Sequence, residues 1–227
     1  MTPPEQSRSL QSSAVRVAER PRPNWPPLRD YWTFLQRVVR NPGLVGAVAP
    51  SSPELAAAMA AVVPSTGSPV VVELGPGTGA LSRAISQRLP ESGRHIAIEL
   101  DSGMVEHLRA ELPWLEVIQG DAAELTALLD KAGVSRADVV ISGLPWAVFS
   151  AELQRKILTE VGLALSATGA FTTFTYLHAT GMKSARRLRQ QLESNFDEVL
   201  VTRTVWRNVP PALFYVCRRP LTAGTQA

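Results

Sequence analysis

From residue 70 onward the chain alternates between two patterns. Val70–Leu74, Arg94–Glu99, Leu115–Ile118, Asp138–Ser142 and Ala170–Tyr176 are short, mostly apolar runs, the signature of strands covered on both faces. Between them, segments near 80–89, 102–112, 122–132, 150–165 and 182–194 carry apolar residues at helical spacing. This β-α-β alternation predicts a doubly wound α/β domain, a mostly parallel sheet with helices on both faces. The end of the chain breaks the pattern. Glu198–Arg207 and Ala212–Arg219 read as two strands joined through Asn208-Val209-Pro210-Pro211. They predict an antiparallel hairpin that completes a seven-stranded sheet.

Upstream the pattern changes twice. Residues 1–27 carry six prolines and little apolar periodicity, and read as a disordered tail. Leu28–Val39 is helical in period. Leu28, Tyr31, Trp32, Phe34, Leu35, Val38 and Val39 fall in an arc of about 160°, opposite Arg29, Arg37 and Arg40. Asn41-Pro42-Gly43 stops that helix. Ser51-Ser52-Pro53-Glu54 starts another, with a capping serine and a proline in the first turn, running through Leu55, Ala56, Met59 and Val62 to Pro64. The expected organisation is a tail (1–27), an N-terminal helical segment (28–64) and the α/β domain (65–222).

Composition narrows the class. At 45% hydrophobic and 19% charged, the chain has material for a full core without staples. One cysteine, Cys217, excludes an intramolecular disulfide, and His95, His107 and His178 are too scattered to suggest a metal site. No run approaches the roughly 18 apolar residues of a spanning helix and no leader pattern opens the chain, so a cytoplasmic protein is expected. The net charge of +3 is uneven. Residues 1–41 hold seven arginines against Glu5, Glu19 and Asp30, a balance of +4, which leaves −1 for the rest. A basic arm suits an anionic membrane surface or nucleic acid, or is simply solvated.

The candidate chemistry begins at Val70-Val71-Val72-Glu73-Leu74-Gly75-Pro76-Gly77-Thr78-Gly79, a buried strand running through a glycine loop into a helix near Ala80. Glycines let the backbone approach a ligand where any Cβ would clash. A single such loop serves NAD, FAD or S-adenosylmethionine. Two features favour the last: the Gly-x-Gly-x-Gly spacing, and the acid Glu73 one residue before the strand end, suited to ammonium or sulfonium charge. Glu99 closes the next strand, where a carboxylate accepts from ribose hydroxyls. Asp101 behind it suits a helix cap. Asp121 follows strand three, placed either to accept from an adenine amine or to cap the next helix.

In chain order these sites resemble the cofactor half of the class I methyltransferases, over residues 70–121. The resemblance implies an S-adenosylmethionine site with Glu73, Gly75, Gly77 and Gly79 at the methionine moiety, Glu99 at the ribose and Asp121 at adenine. Thr78, inside the loop, and Ser142, closing strand four, complete the expected set. The fourth motif is Ser142-Gly143-Leu144-Pro145-Trp146. Adenine methyltransferases place Asn or Asp where this chain has Ser142. Ser-Gly-Leu-Pro is similar instead to bacterial phospholipid N-methyltransferases, a resemblance extending over about 29–219 and including Gly46-Ala47-Val48-Ala49-Pro50-Ser51-Ser52 and Asn208-Val209-Pro210-Pro211-Ala212. It implies methyl transfer to a lipid amine such as phosphatidylethanolamine by a peripheral membrane enzyme.

The Leu28–Val39 pattern suits a helix lying in a membrane interface, or one packed on its own domain as a lid. Tyr31, Trp146 and Tyr176 are the aromatics expected against the methylated, cationic head group. Tyr176 is also the candidate catalytic group, with His178 and water as other acceptors of the amine proton. Lys183-Ser184-Ala185-Arg186-Arg187-Leu188-Arg189 is a basic helical run, either a solvated face or a phosphate contact. Three alternatives stay open at this level: an RNA adenine dimethyltransferase, a small-molecule amine methyltransferase, and a membrane-binding module with a vestigial cofactor site.

Overall fold

The computed structural model describes residues 51–221. The tail, the Leu28–Val39 pattern and Tyr31 lie outside them. Seven strands form one sheet: β1 (Val70–Leu74), β2 (Arg94–Glu99), β3 (Glu116–Gln119), β4 (Ala137–Ser142), β5 (Leu165–Tyr176), β6 (Phe196–Val201) and β7 (Ala212–Pro220). Their order across the sheet is β3-β2-β1-β4-β5-β7-β6. Neighbours among the first five pair in parallel, while β7 runs antiparallel to both β5 and β6. Among the described residues there are six helices, the first before β1 and the others between successive strands: α1 (Pro53–Ala60), α2 (Ala80–Ser86), α3 (Ser102–Glu111), α4 (Leu125–Lys131), α5 (Ala151–Ala164) and α6 (Lys183–Asn195).

The near-continuous apolar strands have cover on both faces. Val72, Leu74, Ile96, Ile98 and Val140 join a cluster with Leu125 and Leu129 of α4, Ile157, Leu158 and Val161 of α5, and Leu188 and Leu192 of α6. On the other face Val71, Val139 and Ile141 cluster with Leu55, Met59 and Ala60 of α1 and Leu81 and Ile85 of α2. The α1 residues therefore share a core with the sheet.

Ends of elements differ from the sequence pattern for local reasons. The Ser52 hydroxyl accepts from Leu55 N (3.1 Å) and Pro53 follows at the first helical position, but α1 ends at Ala60 rather than Pro64. The expected helix over 122–132 divides into a three-residue 3₁₀ turn, Ala122–Glu124, and α4. Strand β6 ends at Val201, well before Arg207. There the Thr202 hydroxyl takes over from the ladder. It donates to Phe214 O (2.9 Å) and accepts from Phe214 N (3.1 Å), and the chain departs into the 202–211 loop.

Chain direction fixes where a ligand belongs. From β1 the sheet grows one way through β2 and β3 and the other way through β4 and β5. The carboxyl ends of β1 and β4 therefore border the switch point, where open α/β sheets bind their ligands.

Candidate cofactor and acceptor site

Two turns meet at that point. Gly143 N donates to Leu74 O (2.8 Å), and Gly75 N to Ile98 O (3.0 Å), so the turns after β4 and β1 are tied to neighbouring strands. A Cβ on Gly143 would stand 2.7 Å from the Gly75 carbonyl oxygen, a backbone atom that cannot swing aside. The Gly in Ser-Gly-Leu-Pro is thus required by the glycine loop it packs against. Gly77, at φ +55°, has nothing within 4 Å of its Cβ position. The loop is open on that side, with room for a ligand against the backbone.

Glu99 ends β2 beside this loop, only 5% exposed. Its Oε1 accepts from Leu100 N (2.9 Å) and Asp101 N (3.1 Å). Burial raises its pKa, and the amides of Asp101, Leu100 and Gly77 oppose that rise without cancelling it. Asp101 itself caps α3 through Met104 N (2.7 Å). Asp121 caps the 3₁₀ turn after β3 through Oδ1 and Ala123 N (2.9 Å), leaving the carboxylate half-buried at the strand's end. Thr78 is exposed on the loop, its carbonyl accepting from Arg83 Nη1 (3.0 Å). These groups and Gly75, Gly77 and Gly79 are brought together along the carboxyl ends of β1, β2 and β3.

Glu73 has a different setting. It is fully buried, its Oε2 accepting from Ser82 Oγ (2.7 Å) and facing His95 Nε2 at 3.1 Å. Its Oε1 and His95 Nδ1 have no hydrogen-bond partner among the described residues. His95, one of three histidines scattered along the sequence, reaches Glu73 through its place in β2, directly opposite Val71 in β1.

Ser142 and Trp146 form a structural pair. Ser142 is fully buried, and its Oγ accepts from Trp146 Nε1 (3.1 Å) and Leu144 N (3.3 Å). Trp146 is 3% exposed, packed edge-on to Phe149 and Phe171 at 5.9 and 6.3 Å, while Gln154 Nε2 donates to its carbonyl (2.7 Å). The expectation that Trp146 walls the acceptor site is therefore corrected: its indole is buried in the core against Phe149 and, in β5, Phe171, and the turn that carries it packs on α6.

Tyr176 ends β5 on the same edge of the sheet as the cofactor turns. Its ring meets Phe174 edge-on at 5.4 Å and stacks on His178 at 5.8 Å, and His178 is exposed. Burial raises the Tyr176 pKa. A phenol so shifted holds its proton at neutral pH, which suits it to donate a hydrogen bond or offer a ring face.

A further clamp escaped the sequence pattern. Asn208, 1% exposed, accepts from Ser52 N through Oδ1 (2.9 Å) and donates through Nδ2 to Pro210 O (2.6 Å). It joins the segment before α1 to the loop before β7, two stretches 156 residues apart.

Comparison with known proteins agrees with this geometry. Residues 71–169 match a family model described as a methyltransferase domain. An ornithine lipid N-methyltransferase of Singulisphaera acidiphila is 34% identical over 194 residues, spanning 84% of this chain and 97% of that protein. The chain belongs to the class I S-adenosylmethionine-dependent methyltransferases. Among solved structures, a TehB-like S-adenosylmethionine-dependent methyltransferase of Corynebacterium glutamicum superposes with TM-score 0.51 at 12% identity, over 85% of this chain and 99% of that one. An O-methyltransferase of Thermotoga maritima gives 0.57 at 13%, over 80% and 71%. At such identity these two share the fold.

The cofactor of this methyltransferase is S-adenosylmethionine. The site fits it: the open cradle at Gly77 and the buried, amide-held carboxylate of Glu99 suit a polar ligand spread along three strand ends.

Proposed function

We propose that this methyltransferase is a lipid N-methyltransferase, acting on an amine head group such as that of phosphatidylethanolamine or an ornithine lipid at a membrane surface. The observation that carries the reading is the relative named for lipid N-methylation, whose length this chain spans almost completely. The fourth motif supports it. A side chain that accepts from an adenine amine must be available at Ser142, and there the hydroxyl is buried on Trp146 and Leu144. Bound S-adenosylmethionine supplies a methyl carbon already activated by its sulfonium.

The protein's own part is placement. Gly75, Gly77, Thr78 and Gly79 hold the methionine end, Glu99 accepts from the ribose hydroxyls and Asp121 from the adenine amine. Glu73 acts from beneath the loop, holding Ser82 and the start of α2. The lipid amine must lie in line with the methyl, about 3–3.5 Å away. Tyr176, with Phe174 behind it, lines the mouth, and Tyr31 adds a further aromatic face to the growing cation. Because Tyr176 keeps its proton, the amine's proton leaves through the exposed His178 or to water.

The test is methyl transfer from radiolabelled S-adenosylmethionine into mixed micelles of phosphatidylethanolamine or ornithine lipid, with RNA in a parallel reaction. Label in the chloroform phase supports the reading. Label in RNA alone refutes it.

A further inference from the structure

The carboxyl edge of the sheet has a second feature beyond the cofactor turns. In a folded domain a large apolar side chain at the surface is ordinary when isolated and informative when grouped. Trp206 is 71% exposed, Val209 78%, Met182 51% and Val201 44%. Topology groups them. Val201 ends β6, Trp206 and Val209 lie on the loop leading into β7, and Met182 precedes α6 after β5. Leu177 N donates to Pro211 O (2.8 Å), tying the segment after β5 to that loop, and Ala212 pairs with Tyr176. Strand β7 lies two places from β4, about 10 Å along the sheet.

The loop is held rigid from both sides. Asn208 anchors it to Ser52 and Pro210, and Val205 N donates to Ala212 O (2.7 Å). The 201–211 loop and the segment around Met182 carry Lys183, Arg186, Arg203 and Arg207, all exposed, with the Arg186 guanidinium donating to Gly181 O (2.7 Å). No aspartate or glutamate occurs in 177–189 or 201–211. Among the described residues, Glu54 Oε1 lies 3.6 Å from Arg207 Nη1.

We infer that the 201–211 loop with Met182 is a bilayer-docking surface, which inserts Trp206 and Val209 among the lipids while Lys183, Arg186, Arg203 and Arg207 bind anionic head groups. Trp favours the interfacial depth, and basic side chains beside it gain from anionic lipid. Docked this way, the mouth at Tyr176 faces the bilayer that would supply the acceptor. The inference rests on the lipid-methyltransferase reading, but vesicle binding is measured without any acceptor lipid, so the two can fail separately.

The experiment is sedimentation of the full chain with phosphatidylcholine vesicles containing phosphatidylglycerol, against pure phosphatidylcholine. The doubly substituted Trp206→Ser, Val209→Ser protein is expected to lose about tenfold or more in partitioning. Trp114→Ser serves as control, because Trp114 is also exposed (48%) but precedes β3 at the amino edge of the sheet. Its partitioning should be unchanged. The conservative Trp206→Phe keeps the fold and should lose the part of the fluorescence quenching that brominated acyl chains impose on Trp206. Equal partitioning of the double variant and the parent overturns the inference, as does equal loss in Trp114→Ser or unaltered quenching in Trp206→Phe. A lowered melting temperature with unaltered vesicle affinity also overturns it, and assigns the patch to contact within the chain.

Discussion

At the residue scale, burial shifts three ionisable groups, Glu99 and Tyr176 at the candidate site and Cys217 in the core. Glu99, which the proposed function places at the ribose, has its pKa raised by burial. For a carboxyl raised on folding, the charged form costs stability above the folded pKa. That cost is relieved as pH falls through the folded pKa towards the unfolded one. Cofactor binding runs the other way, because the ribose needs the carboxylate. S-adenosylmethionine affinity should weaken on acidification from a higher pH than an ordinary glutamate would dictate. Calorimetric titration of the parent and of Glu99→Gln checks this. The variant should bind about 10- to 100-fold more weakly near neutrality and show a flatter pH profile. Tyr176 keeps its proton, so Tyr176→Phe should retain most of kcat and leave the acid limb of the pH–rate curve in place, while Tyr176→Ala should lose more. Loss of that limb in the Phe variant would make the phenol the base. Cys217 is fully buried, its thiol pushed up to about 12. Alkylation by iodoacetamide at mildly alkaline pH should therefore occur only as fast as the protein opens, and prompt labelling of the native chain would contradict that.

At the scale of elements, the Ser142–Trp146 pair and the Asn208 clamp carry the account. Ser142→Ala leaves the buried indole N–H of Trp146 without its acceptor, which should cost about 1–3 kcal/mol in denaturant unfolding. Asn208→Ala loses bonds to Ser52 and Pro210 and should cost a similar amount. The strands of the parallel core were legible in sequence because Val70–Leu74 and its neighbours need apolar residues on both faces. The cofactor turns were legible because their glycines and acids are set by backbone geometry over a few residues. Trp146 was misread for the converse reason. An aromatic after Leu-Pro has the same local pattern whether it faces a cleft or the core, and only the packing of Phe149 and Phe171 decides. The end of β6 at Val201 was hidden too, because it depends on a Thr202 hydroxyl meeting a strand twelve residues on. His95 and Glu73 needed the parallel register to be seen as neighbours.

At the scale of the molecule, the cofactor turns, the Tyr176 mouth and the exposed loop around Trp206 share one edge of one sheet. The amino edge carries the Arg94–Glu116 pair instead, bidentate at 2.8 Å, and Trp114. This polarity puts the cofactor turns and the Tyr176 end of β5 on the same side of the sheet, as the proposed function requires. Among the described residues no helix is long and apolar enough to cross a membrane. The central claim is that the acceptor is a lipid amine. Its most direct measurement is mass spectrometry of lipids extracted after the full chain is incubated with S-adenosylmethionine and vesicles of phosphatidylethanolamine, ornithine lipid and an anionic lipid. The account expects N-methylated head groups on one of the two amine lipids, strongly reduced with Glu99→Gln. Unchanged lipids from a folded protein that binds S-adenosylmethionine would contradict it.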